Sequence, residues 1–460
     1  MTSIVITAIG ENRQKPRFWL EGKKLEREGF MPGDTFKLED KGDHFLLVRC
    51  KDGDKSVSSR KGKGAIIDIT AQYLSKWFEV GQKLRAAIRR GKILVKRYFR
   101  TDRIARRVKA LREALTKGNI STASGFHGGG VMARALHEGL AKAGASSFVQ
   151  VAVEIEGKYL DSSLRNNDHI FRDESIVIEG AIQDICLEKP VEVNIWESGI
   201  PCTGASLAGR SKNKISCAEE HSNAGALFFN CLQWIDQLNP AIVVLENVKQ
   251  YQNTASMVVI RSVLSSLGYK VQERIFNGNE FGALESRDRL VVVGVSEGVG
   301  EFFNIDDVFP VQSKPKTLGD VLEPISDSDE RWKSYDYLKQ KEDRDIAAGK
   351  GFRRQLFDAN SEYIATVTRQ YNKVRSTDPF LKHPTDPELT RLLTPAEHAR
   401  VKGIPESVVN ENSVTTAHEI LGQSVIYPVF VALGERLGGA IWQAYEASTM
   451  ELDFLDHQVA

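Results

Sequence analysis

Glu197-Ser198-Gly199-Ile200-Pro201-Cys202-Thr203-Gly204-Ala205-Ser206 follows a short apolar run, Val191 to Trp196. The run reads as a buried strand, and Gly199, Pro201 and Gly204 punctuate the turn after it. Cys202 stands at the tip, beside a proline that fixes the backbone. A strand running into a rigid loop with one thiol can hold a nucleophile out toward a ligand. Single cysteines in turns are common, so the meaning of this loop depends on its surroundings. Downstream, Ala241 to Leu245 is another buried strand, ending in Glu246-Asn247-Val248. Its carboxylate emerges at a strand end, where open α/β sheets place their sites. Asn279 to Arg289 then leads into the strand Leu290 to Val295. Arg287 and Arg289 are spaced to share one side of an extended segment.

Upstream, Ile120 to Gly130 runs straight into a helix from Met132 to Ala143, which Gly144 would stop. Glycines at a strand-to-helix turn let a ligand approach the backbone and the helix N-terminus. The next strand, Phe148 to Val153, ends at Glu154, and a carboxylate there typically bonds ribose hydroxyls. His127-Gly128-Gly129-Gly130 could instead suggest a lipase oxyanion loop. That requires a GxSxG elbow, and Gly204 to Ala208 fails at its last position. Near the C-terminus, Arg391 to Arg400 reads as a capped helix. Thr394 and Glu397 form a capping box, with Pro395 at the first helical position. The alternation of strands and helices from about residue 119 is that of an open α/β sheet.

The 460 residues suffice for two or three domains, and 41% apolar with 27% charged residues is a soluble composition. No apolar run approaches the roughly 20 residues that span a bilayer, and Met1 to Val5 lacks a signal-peptide pattern. Five cysteines form no zinc spacing, so no metal is expected and a reducing cytoplasm is. The net charge of +1 hides an asymmetry: residues 51 to 117 carry 20 Lys/Arg against 6 Asp/Glu. A basic block beside an acidic body suggests a polyanionic partner. Residues 1 to 50 read as short strands, Ser3 to Ala8, Thr35 to Leu38 and His44 to Val48. Between them Phe18 to Asp34 reads as a short helix stopped by Gly29 and a Pro-Gly turn. Over ~35 residues this region resembles the swapped-hairpin barrels of the AbrB-like class, and a swapped hairpin would favour a homodimer. Gln72 to Leu115 reads as mostly helical and cationic, with apolar residues at 104, 108, 111 and 115.

The order of the motifs is more specific than any one of them. A Pro-Cys loop, Glu-Asn-Val, Arg-x-Arg, Arg-x-Leu-Thr-x-x-Glu and a late Gly-x-Ser-Val together resemble the DNA (cytosine-5) methyltransferase family, over about residues 119 to 448. The resemblance implies a Rossmann-like α/β methyltransferase sheet with an inserted target-recognition region. It implies S-adenosylmethionine as cofactor, double-stranded DNA as substrate, a flipped cytosine and a cytoplasmic, prokaryotic or phage-encoded enzyme. Cys202 matches the nucleophile, Glu246 the carboxylate that bonds the base, and Arg287 with Arg289 the arginine pair that supports both. Phe126, Gly128, Gly130, Glu154, Ile182, Pro201, Ser424 and Val425 match the cofactor positions.

Several residues depart from the family pattern. Ser124 stands where an Asp is usual, Val131 replaces a glycine, and Ala181 replaces an adenine-binding Asp, with Asp184 nearby. Gln423 replaces Asn, and Glu285 replaces Gln. The expected layout is a β-rich module over 1–50, a basic helical connector over 51–117 and a catalytic core over 118–305. A target-recognition region over 306–365 and a C-terminal part over 366–460 follow. Arg353 and Arg354, Arg391, and Arg103, Arg106 and Arg107 are the expected DNA contacts. The same motif set could act on RNA such as a tRNA, or belong to a non-catalytic DNA-binding regulator. The intact trio Cys202, Glu246 and Arg287 argues against the regulator.

Overall fold

The computed structural model describes residues 2–60, 62, 64–187, 191–201 and 225–459, with side chains to 450. The chain divides into two compact units, Met1–Arg106 and Arg107–Ala460.

The first unit differs from the sequence expectation. It is β-structure almost to its end: strands Lys83–Arg89 and Lys92–Arg97 lie where a helical connector is expected, and among the described residues of 51–117 only Phe99–Thr116 is α-helical. Apolar residues alternate along these strands, with Leu84, Ala86, Ile88, Ile93 and Val95 buried. Period-2 alternation is the strand signal, and the density of Lys and Arg between the apolar positions disguises it as a charged helix. Likewise Phe18 to Glu21 belongs to the strand Lys15–Glu21, and the helix is only Lys23–Arg27.

The unit is an internal duplication with a period of 48 to 49 residues. Gly33 N–H donates to Val57 O at 2.8 Å, and Gly81 N–H donates to Ile9 O at 2.7 Å. Val57 N–H donates to Asp34 O at 2.8 Å, and Ile9 N–H to Gln82 O at 3.0 Å. The two copies pair isologously. Phe18 lies opposite Ile69 and Leu20 opposite Ile67; Phe45 lies opposite Val95 and Leu47 opposite Ile93. All of these side chains are buried in one core. A module closing within residues 1–50 is therefore replaced by one of twice that length. The pairing between the two copies is made within one chain.

In the second unit a seven-stranded sheet runs in the order 176–179, 147–154, 120–125, 195–199, 242–248, 288–296, 269–277. The first five strands are parallel, and 288–296 is antiparallel to both its neighbours. One face carries Ala123, Val151, Trp196, Val243 and Val292, packed with Trp234 and Ile235 of the helix Leu227–Leu238. Near-continuous apolar strands with both faces covered are what a parallel sheet requires. A smaller region has its own core, with Leu318, Ile364, Leu381 and Leu393. Its three-stranded sheet joins 355–357, 379–382 and 390–391. This carries the small region past the expected limit at 365.

Helix Val131–Lys142 packs backbone to backbone against helix Tyr427–Val459. A Cβ on Gly139 would lie 2.1 Å from Val431 O, and one on Gly434 2.5 Å from Leu136 O. Nothing larger than hydrogen fits there. Gly139→Ala should lower stability by about 1–3 kcal/mol despite the better helix propensity of alanine. The urea midpoint of the full chain measures this, and an unchanged midpoint would mean that the helices do not need to touch.

Candidate active site

The glycine turn begins where strand Ile120–Gly125 ends. Phe126 takes a left-handed conformation, φ 58°, followed by Gly128 at 57° and Gly130 at 72°. The two glycines face different surroundings. A Cβ at Gly128 would meet only the Gln423 amide nitrogen, at 3.5 Å, which leaves room for a ligand. A Cβ at Gly130 would strike Ser163 Oγ at 2.2 Å, so packing fixes this position rather than the cofactor. Glu154 is buried and holds the turn: Oε2 accepts from Gly128 N–H at 2.6 Å and Oε1 from Glu156 N–H at 3.0 Å. Ile182 is buried beside Gly125, with Cδ1 3.5 Å from the Cβ position there. Asp184 is exposed, and Ala181 provides no carboxylate.

The C-terminal motif returns to this turn. Ile420 lies against Gly129 and the Gln423 amide over Gly128. Gly422 itself is needed because the backbone of Thr368 would lie 2.3 Å from a Cβ there. Ser424 is buried and caps helix Val414–Gln423, with Oγ donating to Leu421 O at 2.6 Å. Val425 is buried beside it.

Cys202 lies outside the described residues. The backbone up to Pro201 fixes where its loop starts. Gly199 pairs with Glu246 across the sheet, and the Cβ position of Gly199 is 3.6 Å from Glu246 Oε2. Asn247 Nδ2 donates to Ile200 O at 3.1 Å, while its Oδ1 accepts from Val248 N–H at 2.8 Å. The asparagine of Glu-Asn-Val thus ties the two strand ends together. Arg289 Nε contacts Glu246 Oε1 at 2.8 Å. Burial pushes the Glu246 carboxyl above its usual range, and Arg289 and Arg287 pull it partly back. Arg287 is almost fully buried, 3.7 Å from Glu285 Oε1, and Nη2 donates to Gly422 O at 3.4 Å. Glu285 accepts from Val367 N–H at 2.7 Å and pairs with the buried Lys402 Nζ at 2.7 Å. Burial pushes the Lys402 ammonium down to about 7, against the opposing pull of Glu285.

Residues 133–439 match the model for C-5 cytosine-specific DNA methylases. The chain is 32% identical over 259 residues to the Type II methyltransferase M.SsoII of Shigella sonnei, covering 53% of this chain and 63% of that protein. It is 32% identical over 259 residues to M.NlaX of Neisseria lactamica, covering 54% and 77%. The chain belongs to the C-5 cytosine-specific DNA methylase family. The S. pombe Dnmt2 methyltransferase has the same fold, with a TM-score of 0.53 at 18% identity over 69% of this chain and 98% of that one.

Within this methylase domain the expected DNA contacts divide. Arg391 is buried and bonds Glu397 twice, at 2.6 and 2.8 Å. Arg107 is buried, donates to Ser296 Oγ and to the carbonyls of Leu267 and Gly268, and lies 3.8 Å over the Tyr269 ring. Both arginines are occupied in holding the fold, which corrects their assignment to DNA. Arg354 is paired with Glu342 at 2.8 Å, and Arg353 is exposed. The capping box of Thr394 and Glu397 forms as expected.

The residue that sequence reading missed is Glu197. It lies opposite Ser124 on the neighbouring strand and hydrogen-bonds its hydroxyl. Ser124 in turn meets His127 Nδ1 at 2.8 Å, His127 Nε2 meets Ser163 Oγ at 2.8 Å, and Asn167 Nδ2 donates to Ser163 Oγ and to Gly129 O. This buried chain supports the glycine turn from beneath. The acid absent at Ser124 is thus supplied from the adjacent strand, and a charged residue inside an apolar run was its sequence signal. Glu197 Oε1 has no hydrogen-bond partner among the described residues, and burial raises the carboxyl to about 8. Between about pH 4.5 and 8 the folded chain therefore holds a proton that the unfolded chain has released, and stability falls as pH rises. Glu197→Gln should unfold close to wild type near pH 5 and at a higher urea midpoint than wild type near pH 8.5. Parallel pH profiles would show that Glu197 is not held neutral.

Proposed function

We propose that the chain methylates carbon 5 of cytosine in double-stranded DNA. The observation that carries this reading is Glu246, held by Arg289 beside the strand end that leads to Pro201 and Cys202. M.SsoII and M.NlaX are named Type II methyltransferases, and an Escherichia coli relative, 27% identical, is named a DNA-cytosine methyltransferase. The match spans 63% of the length of M.SsoII.

Carbon 5 of cytosine is a weak nucleophile until the ring is activated. The Cys202 thiolate adds to carbon 6, and the ring electrons move to carbon 5. Glu246, its proton affinity raised by burial, bonds ring nitrogen 3 and the exocyclic amine and neutralises the charge that builds there. Arg289 orients Glu246, and Arg287 anchors the segment to Gly422. Once carbon 5 has taken the methyl group, a base removes the carbon 5 proton, the C–H electron pair re-forms the 5,6 double bond, and the thiolate leaves carbon 6. S-adenosylmethionine, when bound, supplies the electrophilic methyl group. The residues suit it: Gly128 is open to a ligand at a helix N-terminus, which favours a carboxylate. Glu154 stands at the strand end for ribose hydroxyls, and Phe126 and Ile182 offer apolar surface for adenine.

Target reading falls to the small region over about 310–365, together with strands 379–382 and 390–391. A cleft of about 580 Å³ there is lined by Lys333, Tyr335 and Asn372, with Arg331 beside them held by Asp329 at 2.7 Å. Such groups serve phosphate and base-edge contacts alike, and Arg353 adds an exposed cation.

Incubation with labelled S-adenosylmethionine and mixed-sequence duplex tests the reading. Label should appear on cytosine carbon 5 and vanish with Cys202→Ser. Glu246→Gln should lower kcat by about 10²–10⁴-fold. Label on structured RNA alone, or tight DNA binding without label, would overturn the proposal.

A further inference from the structure

The first unit carries a site that the methyl-transfer reaction does not use. A groove of about 490 Å³ is lined by Arg85, Lys96, Arg97, Arg103 and Arg106 against two acids, Asp43 and Asp102. Phe99 stands in it, 46% exposed, with the Arg85 guanidinium 4.1 Å over its ring. The acids neutralise only part of the charge: Asp102 is 3.5 Å from Arg85. Arg97 and Arg106 have no ion-pair partner among the described residues, and Arg97 Nε is shielded from solvent without a hydrogen-bond acceptor.

The duplication shows that this charge is not a by-product of the β-scaffold. The positions equivalent to Lys96 and Arg97 in the first copy, 48 residues earlier, are Val48 and Arg49, and the equivalent of Arg85 is Lys37. Arg49 is paired with Asp34 at 3.4 Å. The scaffold is thus satisfied with a hydrophobic residue and a neutralised arginine at the same places. Only the second copy, where the chain continues into helix Phe99–Thr116, adds Arg103 and Arg106 and forms the groove. Cations spread over two strands and a helix suit a phosphodiester backbone, with its regularly spaced charges, better than an isolated anion.

We infer that this groove is a second, sequence-independent binding site for the phosphate backbone of duplex DNA, separate from the cleft that receives the cytosine. The choice of duplex DNA rests on the proposed methylation of DNA. The site would hold the chain on DNA while the small region searches for its target.

The experiment uses the full chain and a fluorescent mixed-sequence duplex of about 30 base pairs, without cofactor, across a salt series. The variant is Lys96→Gln, Arg97→Gln, Arg106→Gln together, with a charge-reversed Lys96→Glu, Arg97→Glu pair as a second. Thermal melting confirms that each is folded. The slope of log K against log salt should fall by about 2 to 3 for the triple variant, near 0.9 per lost contact. Affinity at low salt should fall at least tenfold, and further for the charge-reversed pair. Unchanged slope and affinity in folded variants would overturn the inference, as would a loss confined to structured RNA probed in parallel. Because binding is read without methyl transfer, a wild-type chain that binds DNA but transfers no methyl group would overturn the function and leave this site standing.

Discussion

Backbone contact between helices 131–142 and 427–459 is the constraint on which the rest of the catalytic unit depends. Gly139 and Gly434 let the two axes approach until one helix's carbonyls fill the space of the other's missing side chains. The first helix begins at the glycine turn, and the second begins just after Gly422 to Val425. Fixing the helices to each other fixes Gln423 over Gly128 and Ile420 against Gly129, although these residues are almost 300 positions apart. A cofactor cradle assembled from opposite ends of a domain needs this rigidity. Loop residues alone would lose it to conformational entropy.

The catalytic fold was largely legible in the sequence because its signals are local. Apolar runs gave the strands at 120, 148, 242 and 290, glycines and caps gave the helix limits, and the Thr394–Glu397 box formed where it was read. The N-terminal unit was misread for an equally physical reason. Alternating Lys and Arg on strands Lys83–Arg89 and Lys92–Arg97 carry long aliphatic stems and helix-favouring propensity. The duplication that explains them appears as paired hydrogen bonds and not as sequence identity, since Phe45 has become Ile93 and Leu47 has become Val95.

The site was legible as residues and not as contacts. Glu246 and Arg289 meet as the family resemblance implied, whereas Arg391 and Arg107 turn inward. What decides between an arginine on DNA and one in the core is the presence of a carboxylate or free carbonyls within reach, and that is a property of the fold. The same holds for the departures from family pattern. Ser124 has a carboxyl neighbour in Glu197, and Glu285 has a cation in Lys402 117 positions away. These two altered side chains have their complements nearby in space. Electrostatic balance in a low-dielectric interior is set by distance and not by sequence order.

The duplicated β-unit also sets the timing of its own folding. Strand Ser3–Ala8 pairs with Lys83–Arg89, and Lys15–Glu21 pairs with Gly64–Thr70. The first copy therefore cannot complete its sheets until the second has been synthesised. A nascent chain ending near residue 50 presents unpaired strand edges, the templates from which β-aggregation starts. Distant pairing also makes closure slow relative to a helical unit of equal size. This unit leaves the ribosome ahead of the methylase unit, yet its first half waits for its second before its sheets can be completed.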